Sequence, residues 1–138
     1  MNERAFVDTN ILIYAHDKRE PEKRKIASTL IESLWNSKDA PVISVQVLQE
    51  FFVNISRSLK PDEVDDLLDI YKNWKVIDNS LPVFEKAVLI FQKYKFSFWD
   101  SMILSSSISS ESKLLYTEDL NHGQIIEGVK IINPFIKN

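Results

Sequence analysis

The stretch Arg4-Ala5-Phe6-Val7-Asp8-Thr9-Asn10-Ile11-Leu12-Ile13-Tyr14-Ala15 decides how the chain is read. An apolar run stops at an aspartate, and a second apolar run opens after Thr9 and Asn10. Two readings fit. Asp8 is a helix N-cap, accepting orphan backbone N–H bonds for about 1 kcal/mol. Alternatively, it is a functional carboxylate at the carboxyl end of a buried strand, where open α/β sheets place their sites. The stretch alone leaves both open.

Working outward, the chain alternates. Ala5 to Val7 reads as a short strand, followed by helices over Asn10–Ala15 and Glu22–Trp35. In the second helix Ile26, Leu30, Ile31 and Leu34 recur at helical spacing. Pro41 to Ser44 reads as a buried strand, with Ser44 capping a helix that runs to about Leu59. Pro61 suits the first position of another helix, ending near Trp74. Val76-Ile77 is a brief strand, Pro82–Tyr94 a helix, and Ser97 caps a helix from Phe98 to about Ser110. Leu114-Leu115-Tyr116 and Val129–Ile132 complete the strands. Short apolar strands separated by helices predict an α/β fold, with a short central parallel sheet covered by helices on both faces. The run Ser105–Ser110 reads as small side chains that let a helix lie close to that sheet.

The bulk properties agree. The 138 residues suit one domain over 1–138, with 44% hydrophobic and 27% charged residues. No apolar stretch reaches the length of a membrane span. Met1-Asn2-Glu3-Arg4 lacks the features of a secretory signal, so the chain is expected to be cytoplasmic. With no cysteine there is no disulfide, thiolate nucleophile or cysteine-ligated metal. The only glycines, Gly123 and Gly128, come too late for a phosphate-binding loop before them. A net charge of -3 argues against a broad basic field for nucleic acid.

Four acids stand out, three of them (Asp8, Glu50 and Asp100) far from any other acid in the chain. Asp8 ends the first strand, Glu50 lies in the second turn of the helix after the second strand, Asp100 opens the helix capped by Ser97, and Asp119 follows Leu114–Tyr116. Each has a plain alternative: a cap for Asp8, a solvated stripe with Gln46, Asn54 and Arg57 for Glu50, a Ser97-x-x-Asp100 capping box, and a turn at Asp119. In a parallel sheet, however, positions that follow a strand or start the next helix share one edge. Two carboxylates about 5 Å apart repel by roughly 3 kcal/mol at an effective dielectric near 20. The four motifs hold no lysine or arginine, so a hard divalent cation is the natural counter-charge. Such a site activates water and offsets charge on a phosphodiester. Zinc is disfavoured, because His16 and His122 are the only histidines and neither has a ligand-spaced companion.

Phe6-Val7-Asp8-Thr9-Asn10, Phe98-Trp99-Asp100-Ser101-Met102-Ile103-Leu104 and Thr117-Glu118-Asp119-Leu120-Asn121-His122-Gly123-Gln124, in this order and at these separations, resemble a PIN domain. They are most similar to the VapC-type toxins of toxin–antitoxin pairs. The resemblance covers nearly the whole chain and implies a PIN-like three-layer sandwich. It also implies an endoribonuclease dependent on Mg²⁺ or Mn²⁺ held by Asp8, Glu50, Asp100 and Asp119. Thr9, Asn10 and Thr117 match supporting positions. Glu118 rivals Asp119, which is preferred because the family's final acid comes two residues after the hydroxyl. An RNA substrate, a cognate antitoxin that covers or fills the acidic pocket, and a homodimer are implied as partners, with no membrane association. Setting the four acids aside turns the formal charge to +1, and the run Lys18-Arg19 and Lys23-Arg24-Lys25 offers a phosphate contact or a solvated helix face.

Other readings remain. One is a PIN nuclease of RNA maturation without an antitoxin, and another is a non-catalytic binding module. A phosphatase of the haloacid-dehalogenase kind, with Asp8 as nucleophile, needs a second aspartate two residues on, where this chain has Asn10.

Overall fold

The computed structural model describes residues 3–136. Its strands are β1 (Ala5–Val7), β2 (Val42–Ser44), β3 (Lys75–Ile77), β4 (Leu114–Tyr116), β5 (Ile125–Ile126) and β6 (Val129–Ile132). Its helices are α1 (Thr9–Ala15), α2 (Pro21–Trp35), α3 (Val45–Ile55), α4 (Pro61–Tyr71), α5 (Leu81–Tyr94) and α6 (Phe98–Ser109). All six strands form one sheet in the order β3-β2-β1-β4-β6-β5, parallel throughout except where β5 meets β6.

The residues of β1 and β2 are buried along their whole length, as the uninterrupted apolar runs require of strands covered on both faces. Helix α6 crosses β2, β4 and β6 and packs along α5, while α1 packs on α2 and α3. Phe6, Ile11, Leu12, Ile43, Phe51, Leu104, Leu115 and Ile131 form the centre of the main core. In α6, Ser101, Ser105, Ser106 and Ser107 are buried, and the Ser105 hydroxyl donates to the Val83 carbonyl of α5 at 2.7 Å. The serine run therefore does bring a helix close to its neighbours.

From β1 the chain builds outward to β2 and β3, then returns to place β4 on the other side of β1. The order of the sheet thus switches between β1 and β4, and ligands of open α/β sheets bind outside the carboxyl ends of strands at such a point.

Several boundaries differ from the sequence reading. Helix α3 ends at Ile55 and α4 at Tyr71, short of the expected Leu59 and Trp74. Both Leu59 and Trp74 still pack against the core, but from the turns that follow the helices, so apolar periodicity outlasts the helical backbone. Strand β5 was not anticipated. It forms a hairpin with β6 through Glu127 and Gly128, at φ 47° and 87°, the left-handed pair that a tight two-residue turn demands. Among the described residues, no helix is long and apolar enough to cross a membrane.

Candidate metal centre

Asp8 fills both roles, cap and site carboxylate. Asp8 is the N-cap of α1: its backbone is extended and its Oδ1 accepts from the Thr9 N–H at 2.7 Å. Its other oxygen, Oδ2, accepts from the Thr117 hydroxyl at 2.8 Å, across from the end of β4. The backbone ties the same two strand ends, with the Asp8 N–H donating to the Tyr116 carbonyl at 3.0 Å. Asp8 is 5% exposed. Burial is the main force pushing its carboxyl up to about 7, partly opposed by the bonds from Thr117 and Thr9 and aided by the charges of Asp119 and Glu50.

Thr117 serves two masters. Its oxygen also accepts from the Asp119 N–H at 3.1 Å, which turns the loop after β4. Asn10 locks that loop from the α1 side: its Nδ2 donates to Asp119 Oδ2 at 3.1 Å, and its Oδ1 accepts from the Glu118 N–H at 3.3 Å. Asp119 is exposed, and its carboxyl is raised by partial desolvation and by the charge of Asp100.

Asp100 comes from the first turn of α6. The Ser97 hydroxyl accepts from the Asp100 N–H at 3.1 Å, which is the cap expected from the sequence. No return bond from the Ser97 N–H to the Asp100 carboxylate is found among the described residues, so that carboxylate is not consumed in a capping box. One carboxylate oxygen each from Asp8, Asp100 and Asp119 lies within 4.8 Å of the others.

Glu50 lines the same cleft but is not one of that trio. Its Oε1 accepts from the Thr9 hydroxyl at 2.7 Å, one residue from Asp8. Glu118 is directed elsewhere: it accepts from the Tyr14 hydroxyl at 2.8 Å and from Lys23 Nζ at 2.5 Å. The geometry thus brings Asp119, not Glu118, beside Asp8 and Asp100. Of the basic run, Lys23 is held by Glu118 and Arg19 by Asp17, so two of its five charges are already paired inside the fold.

The cleft, about 250 Å³, is lined by Asp8, Thr9, Asn10, Ile13, Gln46, Glu50, Trp99, Asp100, Ile103 and Asp119. None of these is lysine or arginine. The donor set is all oxygen, and a buried carboxylate faces two others with no protein cation among them. That chemistry fits a hard divalent ion such as Mg²⁺ or Mn²⁺. It does not suit zinc: neither histidine lines the cleft, since His16 bonds the Tyr71 hydroxyl and His122 accepts from the Asn133 N–H. Trp99 was not singled out as a site residue by the sequence reading, and Gln46 entered it only in a solvated stripe, whereas it is buried and lines the cleft. Gln46 sits one turn before Glu50 on α3, and Trp99 directly precedes Asp100, so their positions beside the acids were the available signal.

Comparison with known proteins follows the same lines. A toxin–antitoxin complex from Klebsiella pneumoniae superposes with a TM-score of 0.73 at 23% identity, covering 95% of this chain and 98% of that one. VapBC2 from Rickettsia felis, solved bound to a DNA fragment from its promoter, gives 0.63 at 21% identity, covering 92% and 96%. FitAcB from Neisseria gonorrhoeae gives 0.65 at 13% identity, covering 95% and 98%. At these identities the likeness is one of fold. No curated protein matches the sequence. The family model of the PIN domain matches residues 5–126, and the chain belongs to the PIN domain family.

Proposed function

We propose that the protein is a metal-dependent endoribonuclease acting as the toxin of a toxin–antitoxin module. One observation carries the reading: Asp8, Asp100 and Asp119 converge from three separate elements on a cleft lined by no basic side chain. Membership of the PIN family supports nuclease chemistry. A structural neighbour from Mycobacterium tuberculosis, VapC20, is described as a toxin that cleaves the sarcin–ricin loop, at 15% identity and a TM-score of 0.62.

In this reading Asp8, Asp100 and Asp119 hold Mg²⁺ or Mn²⁺, with Glu50 as a further acid of the site. Bound there, a divalent ion would supply Lewis acidity toward water and the phosphodiester. The chain's own groups set the stage. Thr117 and the Thr9 N–H fix both oxygens of Asp8, so the buried carboxylate presents one orientation. Thr117 and Asn10 hold the Asp119 loop against it. Thr9 holds Glu50 at the mouth, where an exposed carboxylate can accept a proton.

The cleft's charge also sets the chemistry of its inhibitor. An antitoxin that blocks it should bring an arginine or lysine to the acids, because a charge-assisted bond satisfies carboxylates that lack a protein cation. The structural neighbour from Klebsiella pneumoniae is described as a toxin–antitoxin complex, which favours this reading over a PIN nuclease without a partner. A homodimer completes the proposed assembly.

The test is cleavage of a randomised single-stranded RNA pool by the purified protein, with Mg²⁺, with Mn²⁺ and with chelator. Internal cuts with either ion and none in chelator are expected. No cleavage with either ion, or cleavage unaffected by chelator, would contradict the proposal.

A further inference from the structure

The chain has three tryptophans, and they are treated differently. Trp74 is buried in the core, and Trp35 meets it edge to face with ring centroids 5.7 Å apart. Trp99 is 62% exposed and lines the carboxylate cleft. An indole so placed loses the apolar burial that normally holds this residue inside.

Its position is nevertheless built. The Trp99 ring meets Phe98 edge to face at 5.1 Å, and Phe98 meets Phe84 of α5 at 6.0 Å, so a chain of aromatics backs it. Its carbonyl accepts from Gln46 Nε2 at 3.4 Å. Gln46 is buried and lines the same cleft, and its Oε1 has no hydrogen-bond partner among the described residues. A buried amide left half-satisfied is expensive unless it serves a placement. Here it ties the first turn of α6, and with it Trp99 and Asp100, to α3.

We infer that Trp99 is the platform on which a nucleobase of the RNA stacks beside the scissile phosphate, with Gln46 as its positioning residue. The inference rests on the ribonuclease reading and names how that site holds its substrate. The cleft offers a polyanion no lysine or arginine, so beyond a metal ion at the acids its attraction must come from something other than side-chain charge. Stacking supplies that, because every base has a π-face and single-stranded RNA can splay its bases onto aromatic side chains. A second copy of the chain is the competing occupant. The base is favoured because Trp99 lines the same cleft as Asp8, Asp100 and Asp119.

The test uses an RNA selected as cleaved from the randomised single-stranded pool, with each base near the cut replaced in turn by an abasic residue. Trp99→Ala should raise KM by about 10- to 100-fold with kcat little changed, and Trp99→Phe should recover most of the loss. At one position the abasic replacement should raise the wild-type KM by a similar factor and leave the Trp99→Ala protein unaffected. Gln46→Leu should weaken that same coupling. Equal sensitivity of wild type and Trp99→Ala at every position would overturn the inference while leaving the ribonuclease reading intact. A shift of Trp99→Ala from dimer to monomer in sedimentation, with no such coupling, would overturn it in favour of an interface between copies. Absence of any wild-type cleavage would remove the ribonuclease reading, and this inference with it.

Discussion

Asp8 and Asp119 follow neighbouring strands and approach the same point, yet they belong to different kinds of wall. Asp8 is buried, with both oxygens fixed by bonds from Thr9 and Thr117, and burial raises its carboxyl to about 7. Asp119 is exposed on a loop, held chiefly through Asn10 and the Thr117 hydroxyl. The buried wall supplies fixed geometry, and its charge is costly without a counter-ion. The open wall supplies a charge that solvent largely screens. Substitutions on the two sides should therefore differ in size and in their response to metal.

The largest effect is expected on the buried side. Asp8→Asn should lower Mg²⁺-dependent RNA cleavage on the order of 10³-fold, since losing one anchoring charge forfeits several kcal/mol of transition-state stabilisation. Its circular-dichroism spectrum should match wild type. Full activity in the folded variant would show that Asp8 is only a cap.

Thr117→Val keeps the shape of the side chain but removes the hydroxyl that joins the two walls. Asp8 Oδ2 and the Asp119 N–H both lose a partner, so stability should fall by about 1–3 kcal/mol in urea unfolding. The KM for metal should rise as well. An unchanged unfolding midpoint would mean that the bridge does not couple the walls.

The pH dependence of the metal-free protein separates them further. The folded pKa of Asp8 lies above its unfolded value, so the contribution of Asp8 is fully present below about pH 4. It is then lost as pH rises through about 7. In chelator, wild type should lose stability between pH 5 and pH 8, and Asp8→Asn should lose less. A wild-type curve that is flat or rises over that interval, with Asp8→Asn parallel to it, would contradict burial of an uncompensated carboxyl.

The smallest effect belongs to Asp119→Asn. In chelator at neutral pH it should raise stability by no more than about 1 kcal/mol, because the charge it removes is exposed and screened. With excess Mg²⁺ the gain should shrink or reverse, since an ion that binds the native site stabilises the full ligand set by mass action. A gain as large as that of Asp8→Asn would erase the distinction between the walls.

The same contrast explains what could be read from the sequence. Strands buried on both faces, such as Phe6-Val7 and Val42-Ile43, announce themselves as apolar runs, and an acid that interrupts one stands out. Asp8 and Asp100 were legible because each is isolated from other acids and sits at a strand end or helix start, and Asp119 because it follows a strand two residues after the Thr117 hydroxyl. The choice of Asp119 over Glu118 has its physical cause elsewhere in the fold: Lys23 and Tyr14, far away in the chain, draw Glu118 aside. Strand β5 was missed because it has only two residues, one of them, Ile125, exposed. The ends of α3 and α4 were overrun because Leu59 and Trp74 reach the core from turns. Trp99 and Gln46 stand beside acids in the sequence, but their contact with each other across α6 and α3 is not encoded by spacing along the chain.

The central claim is that Asp8, Asp100 and Asp119 form one metal site. Its most direct test is a crystal grown with Mn²⁺ and measured at the manganese absorption edge. An anomalous peak among the three carboxylates, lost in Asp8→Asn crystals, is the predicted result. No peak there at a Mn²⁺ concentration that supports RNA cleavage, or a peak held by other side chains, would contradict the account.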